Sequence, residues 1–201
     1  MTANTDNFLQ DPNPFNILTQ WMNEAANCGL KESTAMTLAT VSSQGHPSTR
    51  VVLLKEIRPD GVVFYTNYLS HKGKDLEGQP WAAATLYWDP LFRQINLKGR
   101  TEKLPRSESQ SYWKLRARES QISQTASKQS QPVDSRATLD TAYDTVEQKF
   151  ADQEIPCPDH WGGYLLKVED FEFWIGRPHR FHDRFHYWLD QGLWKNERLY
   201  P

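Results

Sequence analysis

Cysteine is scarce in this sequence: Cys28 and Cys157 are the only two in 201 residues. They show no metal-ligand spacing, which excludes a disulfide framework and a cysteine-based zinc site and fits a reducing compartment. No apolar run approaches the roughly 20 residues needed to cross a bilayer. The first residues, MTANTDNFLQ, lack the basic patch and apolar core of a secretory signal, so the expected location is the cytoplasm. An excess of charge is missing too. With 23 Lys and Arg against 25 Asp and Glu, the formal net charge is −2, and no global field recommends a nucleic acid or a membrane as partner. Any anion site has to be local. There is no internal repeat, no GxGxxG and no phosphate-loop motif.

What the chain has in quantity is aromatic residues, including eight Trp. Most belong in a core, with some left to face a ligand or a second subunit. The polar segment 1–12 reads as mobile and 13–201 as one domain. Pro14 opens a helix whose Phe15, Leu18, Met22 and Ala25 recur at helical spacing until Gly29. From Ala35 the texture becomes β: AMTLATV, STRVVLLKEI and VVFYTN, cut by SSQG and RPDG, read as a meander. HKGKDLEG is a short helix or loop. WAAATLYW and FRQINLKGRTEKL are strands around the turn DPLF. SESQSYWKLRAR reads as one helix capped by Ser107, with Tyr112 and Leu115 on one face. The Ser/Gln-rich stretch SQISQTASKQSQPVDS has the composition of a flexible linker. A further helix spans about 136–150, and GGYLLKVEDFEFWIG, RFHDRFHYWLD and LWKNERL are strands, the last two a hairpin around QG. The fold class is mainly β with added helices (α+β), a closed or half-closed antiparallel barrel.

The stretch RPHRFHDRFHYW concentrates histidine and arginine. As a strand it puts Arg180, His182, Arg184 and His186 on one face. As a helix it would converge His179, His182 and His186 as metal ligands. The aromatic residues and the QG turn favour the strand, and no metal is expected. A solvated surface strand is the bland alternative, but several cations in a row repel unless an anion neutralises them. Arg50 and Lys55 bracket the apolar VVLL and fall on opposite faces of a regular strand, where both could simply reach water. FYTN leads into Lys72 and Lys74, a cradle for phosphate. Gln94 alternates with apolar neighbours and is expected to point into an interior, where its amide needs a partner. Together these segments suggest a phosphorylated aromatic ligand in a barrel groove.

In order along the chain, RVVLLK, FYTN with a following KG, RQINLKG, SQI with KQS, WGGY, EFWIG, RFHDR and the terminal RL-x-P resemble the pyridoxamine 5′-phosphate oxidase family from about Asp11 to Pro201. The resemblance implies an FMN-binding split β-barrel and a homodimer with two flavin sites at the subunit interface. It implies that Arg50, Val51, Val52, Leu53, Leu54 and Lys55, with Tyr65, Thr66, His71, Lys72, Gln94, Gln129, Ser130, Trp174 and Arg184, hold FMN. The Ser/Gln-rich stretch is then no linker. Lys55, Tyr112, Arg116 and Ser120 match the grip on the substrate phosphate, and Arg180 and His182 match residues that close over the pyridine ring, as positioning and electrostatic groups of the catalytic site. The implied reaction oxidises pyridoxamine or pyridoxine 5′-phosphate to the aldehyde, hydride passing to flavin and then to O2 with release of H2O2.

Three departures bear on that expectation. His71 stands where the family has Arg, a weaker and pH-dependent cation. Ser123, Gln124 and Thr125 replace a run of small residues, and Ala117 replaces Pro. The N-terminal arm lacks the basic, Tyr-containing segment of some members. Two other readings remain: a flavin oxidase of the phenazine-biosynthesis type, against which Lys55 speaks, and a non-catalytic flavin- or pyridoxal-phosphate-binding protein.

Overall fold

Nine strands and five helices make up residues 11–201, the part of the chain that the computed structural model describes. The expected mobility of 1–12 lies outside the described residues as far as position 10. Asp11 is anchored at both ends: its carboxylate accepts the Asn13 N–H at 2.9 Å and its carbonyl accepts the Tyr187 hydroxyl at 3.2 Å.

Helix α1 (Pro14–Ala26) begins as its sequence requires, with Pro at the first turn and the Asn13 side chain accepting the Phe15 N–H. Its apolar stripe of Phe15, Leu18 and Trp21 is buried against the sheet, where Phe15 meets Phe171 edge-on at 5.0 Å and Trp21 meets Phe173 at 5.4 Å. Each such side chain contributes roughly 1.5–3 kcal/mol when removed from water.

Strands β1 (Ala35–Val41) and β2 (Pro47–Leu53) form a hairpin. Its turn uses Gly45 at φ +83, a left-handed conformation that glycine adopts without cost. β3 (Glu56–Arg58) and β4 (Gly61–Asn67) form a second hairpin, followed by α2 (His71–Gly78), β5 (Trp81–Trp88) and β6 (Arg93–Lys103). Helices α3 (Arg106–Lys114), α4 (Arg118–Ala126) and α5 (Arg136–Lys149) lead to the 15-residue β7 (Trp161–Ile175) and the hairpin β8 (Asp183–Asp190) and β9 (Leu193–Leu199).

The strand order β2-β1-β5-β6-β7-β4-β3 is not the expected meander, because β1 pairs with β5 and β4 pairs with β7. β7 organises the sheet: it pairs with β6 along its length, with β4 through 161–167 and with β8 through 170–175. The sheet does not close, so the barrel is the half-closed one. On its inner face Met36, Leu38, Leu86, Ile95, Leu97, Phe171, Phe173 and Phe185 are all completely buried, the alternation of half-covered strands.

Several local expectations fail for identifiable reasons. STRVVLLKEI is two strands: Leu54 N–H turns to Thr34 O at 2.9 Å and Lys55 N–H to Val63 O at 2.8 Å, so the chain leaves β1 and joins β4 between them. SESQSYWKLRAR breaks at Leu115–Ala117. Ser107 lies inside α3 rather than at its cap, which is Pro105, and Leu115 is 81% exposed rather than on a packed face. The first seven residues of the supposed linker, 120–126, are helical. RFHDRFHYW becomes a strand only from Asp183, after a 3-10 turn at Pro178–Arg180 in which His179 and Arg180 both have φ +60. The shared strand face therefore holds for Arg184 and His186, whereas Arg180 and His182 both precede the strand. Gln94 points away from the interior, half-buried between the core residues' opposite-facing neighbours.

Candidate functional site

The start of α2 is built around a buried ammonium. Ser70 caps the helix, its hydroxyl accepting the Gly73 N–H at 3.3 Å, and Lys72 follows in the first turn. Lys72 is 8% exposed. Its Nζ donates to Thr66 Oγ1 at 3.1 Å, Ser70 Oγ at 3.3 Å and Gln129 Oε1 at 3.1 Å, all neutral oxygens. Burial, with Arg50 nearby, pushes its pKa down to about 8. The neighbouring His71 N–H donates to Ser130 Oγ at 3.3 Å. The segment after α4 is thus tied to α2 by Gln129 and by Ser130, the latter held at φ +72.

Lys72, Thr66 and Gln129 line a cleft of about 200 Å³, together with Val51, Val52 and Leu53 of β2, Lys55 from the strand break, Tyr65, Arg116, Gln124 and Trp161. Arg50 stands beside this cleft rather than in it. Val52 and Leu54 turn their side chains into the core. An aromatic stack backs the cleft: Tyr65, in the lining, lies on Tyr112, which is outside it, at 3.9 Å and 10°, and on Trp161, also in the lining, at 5.3 Å and 13°. Burial raises the Tyr65 pKa to about 12, keeping it a neutral hydroxyl. The Arg116 guanidinium sits 5.0 Å over Trp161. Its Nε is buried with no hydrogen-bond partner, and burial pushes its pKa down. The α3–α4 break is what turns Arg116 into the cleft. Ser120 lies in the first turn of α4, its N–H bonded to Ala117 O at 3.0 Å, outside the lining.

A second group lies elsewhere on the sheet. Gln94, Trp174 and Arg184 are register partners on β6, β7 and β8, forming one row across three strands. Arg184 grips Glu172 through Nε at 3.0 Å and Nη2 at 2.8 Å, and donates to Tyr200 O at 3.0 Å. His182 stands 4.5 Å from Trp174, and its Nδ1 accepts the Arg177 N–H at 3.1 Å. In the neutral ring the proton is therefore on Nε2, which is left as an outward donor. Asp183 secures this corner by bonding Arg177 Nε at 2.7 Å and Arg198 Nη1 at 2.6 Å. Arg180 is exposed on the turn. None of this row lines the cleft around Lys72. Among the described residues no group of three or more His, Cys, Asp or Glu is arranged to hold a metal ion.

The chain matches two family models, pyridoxamine 5′-phosphate oxidase over residues 22–150 and the pyridoxine 5′-phosphate oxidase C-terminal dimerisation region over residues 161–201. The chain belongs to the pyridoxamine 5′-phosphate oxidase family. It is accordingly an enzyme of an FMN-dependent oxidoreductase family. Similar proteins include pyridoxine/pyridoxamine 5′-phosphate oxidases of Salinibacter ruber, 47% identical over 94% of this chain and 89% of that protein, and of Teredinibacter turnerae, 44% identical over 94% and 90%. Among solved structures, PhzG from Burkholderia lata in complex with tetrahydrophenazine-1-carboxylic acid aligns with TM-score 0.93 and 30% identity over 100% of this chain and 98% of that one. An FMN-binding protein of Nostoc punctiforme, at 16% identity and TM-score 0.77, shares the fold.

The cleft fits a phosphorylated flavin on grounds of its own. Neither Lys72 nor Arg116 has a carboxylate partner among the described residues, and a buried cation without one is costly until an anion arrives. Sequence reasoning missed Trp161, although WGGY was in view, and singled out Gln124 only as a departure from the family pattern, without a contact role. It also missed Thr40 and Asp75, which contact Arg50 from 10 and 25 positions away.

Proposed function

We propose that this chain oxidises pyridoxamine 5′-phosphate or pyridoxine 5′-phosphate to pyridoxal 5′-phosphate, with O2 as electron acceptor and H2O2 as product, the amine also consuming water and releasing ammonia, and works as a homodimer with FMN at the subunit interface. The observation that carries this reading is one cleft lined by two cations without carboxylate partners, Lys72 buried and Arg116 half-buried with its Nε enclosed, which suits two phosphates, one of the cofactor and one of the substrate.

Lys72 would hold the FMN phosphate with Arg50, His71, Gln129 and Ser130, while Thr66, Tyr65 and the backbone of Val51 to Lys55 flank the flavin. The row Gln94, Trp174 and Arg184 would complete the site from the other protomer, which explains why it lies apart within one chain. The match of the dimerisation region to the segment containing Trp174 and Arg184 supports this. Lys55, Tyr112, Arg116 and Ser120 would hold the substrate phosphate, two cations and two hydroxyls for a dianion. Arg180 and His182 would close over the pyridine ring, His182 offering its Nε2–H. When bound, FMN supplies the two-electron redox chemistry between the substrate C4′ carbon and O2. The chain's own residues orient the ring, neutralise both phosphates and exclude water with the Tyr112–Tyr65–Trp161 stack.

Titration of the purified chain with FMN tests the cofactor half, through quenching of flavin fluorescence and a yellow protein after gel filtration. A chain that stays colourless with added FMN refutes the proposal. The likeness to PhzG favours a second reading, oxidation of a reduced phenazine carboxylate. Arg116 and Lys55 weigh against it, since two cations in the cleft are more than one carboxylate needs. Turnover of a tetrahydrophenazine carboxylate without turnover of either B6 phosphate would decide for it.

A further inference from the structure

Arg50 is held by two residues that do not line the cleft. Thr40, on β1, is completely buried, and its hydroxyl sits between two fixed partners. It accepts from Arg50 Nη1 at 2.6 Å and donates to Asp75 Oδ2 at 2.6 Å. A guanidinium can only donate and a carboxylate only accept, so the direction of both bonds is settled. Asp75 stands on α2 one turn beyond Lys72, and its Oδ2 lies 3.8 Å from Arg50 Nη2, an ion-pair distance too long for a hydrogen bond. Arg50 Nη1 also points at Leu38 O, 3.4 Å away. The guanidinium is therefore pinned through Nη1. Its Nε and Nη2 make no hydrogen bond among the described residues, and the side chain keeps 20% of its surface exposed.

We propose that Thr40 and Asp75 are positioning residues that aim the free Nε/Nη2 edge of Arg50 at the flavin phosphate, and so make this chain discriminate FMN from flavin without a phosphate. The inference rests on the assignment of the cleft to FMN made above. The relay also spans three elements, β1, β2 and α2, which keeps Arg50 in register with Lys72 on the helix. Two parallel N–H donors held in one plane match two phosphate oxygens, which a freely rotating guanidinium matches only at an entropic cost. The competing explanation is that Asp75 merely offsets the charge of Arg50. The two differ in sign. As a plain anion near a phosphate site Asp75 weakens FMN binding, and its removal tightens it. As a positioning residue its removal weakens binding.

The test is the dissociation constant for FMN and for riboflavin, by fluorescence quenching on the full-length chain freed of flavin. Thr40→Val weakens FMN by about tenfold, the size of one hydrogen bond to a charged group, and leaves riboflavin within about twofold. Thr40→Ser restores FMN binding. Asp75→Ala also weakens FMN selectively, and carries the test alone if Thr40→Val does not fold. In an Arg50→Ala background, Thr40→Val has no further effect on FMN, since it acts through that arginine. Equal losses for both flavins, tighter FMN in Asp75→Ala, or full additivity with Arg50→Ala overturns the proposal. A parent chain that binds neither flavin overturns it as well, and is recognisable as a failure of the FMN assignment itself.

Discussion

Lys72 Nζ donates to Gln129 Oε1 at 3.1 Å, joining the first turn of α2 to a segment 57 positions later that composition alone would leave unstructured. This contact closes the cleft over a buried ammonium whose pKa lies near 8. In the ligand-free chain the lysine loses its proton as pH rises past that value, whereas a bound phosphate dianion holds the proton on. FMN affinity is therefore expected to be steady just below pH 8 and to fall progressively above it. Dissociation constants at pH 7, 8, 9 and 10 check this, and a profile that is flat in the native chain removes Lys72 from the phosphate site. Lys72→Met should bind FMN weakly with no such slope.

The same lysine makes a stability prediction of opposite sense. An unfolded lysine keeps its proton to about pH 10.4, so between pH 8 and that value the unfolded chain binds more protons at this position than the folded one. Stability of the flavin-free chain then receives a positive contribution with rising pH from this group. Lys72→Met should remove that contribution, which denaturant melts of the two proteins across the window would reveal as a difference in slope.

Arg116 trades stability for binding. Its buried Nε has no partner and no carboxylate offsets its charge, so Arg116→Met should raise the melting temperature of the ligand-free protein by about 2 °C or more. The same variant should raise KM for a B6 phosphate by an order of magnitude or more, with flavin retained. A lower melting temperature together with an unchanged KM would show that Arg116 is a structural residue.

Arg180 and Arg184 are four positions apart and differ in setting: one lies exposed on a left-handed turn, the other is held bidentately by Glu172 in the row with Trp174. Arg184→Ala is expected to lower FMN retention through gel filtration. Arg180→Ala is expected to keep its flavin and lose turnover. Equal flavin loss in the two would contradict this division.

His71→Arg places a permanent cation at the N-terminus of α2, beside Lys72 and Ser130. FMN binding should tighten a few-fold. An unchanged dissociation constant would show that position 71 does not reach the phosphate.

How much of this was legible in the sequence depends on whether the cause was local. AMTLATV is β1 to the residue because alternation and the flanking turn act within a few positions. The hairpin at Gln191–Gly192 was equally readable, Gln191 at φ +51 and Gly192 at φ +82. The break at Leu54–Lys55 was not, because its cause is a change of partner, from Thr34 to Val63, that no periodicity records. The split of Arg180 from Arg184 was hidden in the same way: Pro178 starts a 3-10 turn inside a run that alternates like a strand. Family resemblance pointed to Gln129, Ser130 and Arg116. Trp161 beneath Arg116, and Thr40 with Asp75 behind Arg50, became visible only when distant segments were placed side by side.

Oxygen uptake by the purified, FMN-loaded protein tests the central claim most directly. With pyridoxamine 5′-phosphate the account predicts steady O2 consumption matched one for one by H2O2 and by pyridoxal 5′-phosphate, and little with unphosphorylated pyridoxamine. A yellow protein that consumes no oxygen with either B6 phosphate would contradict it.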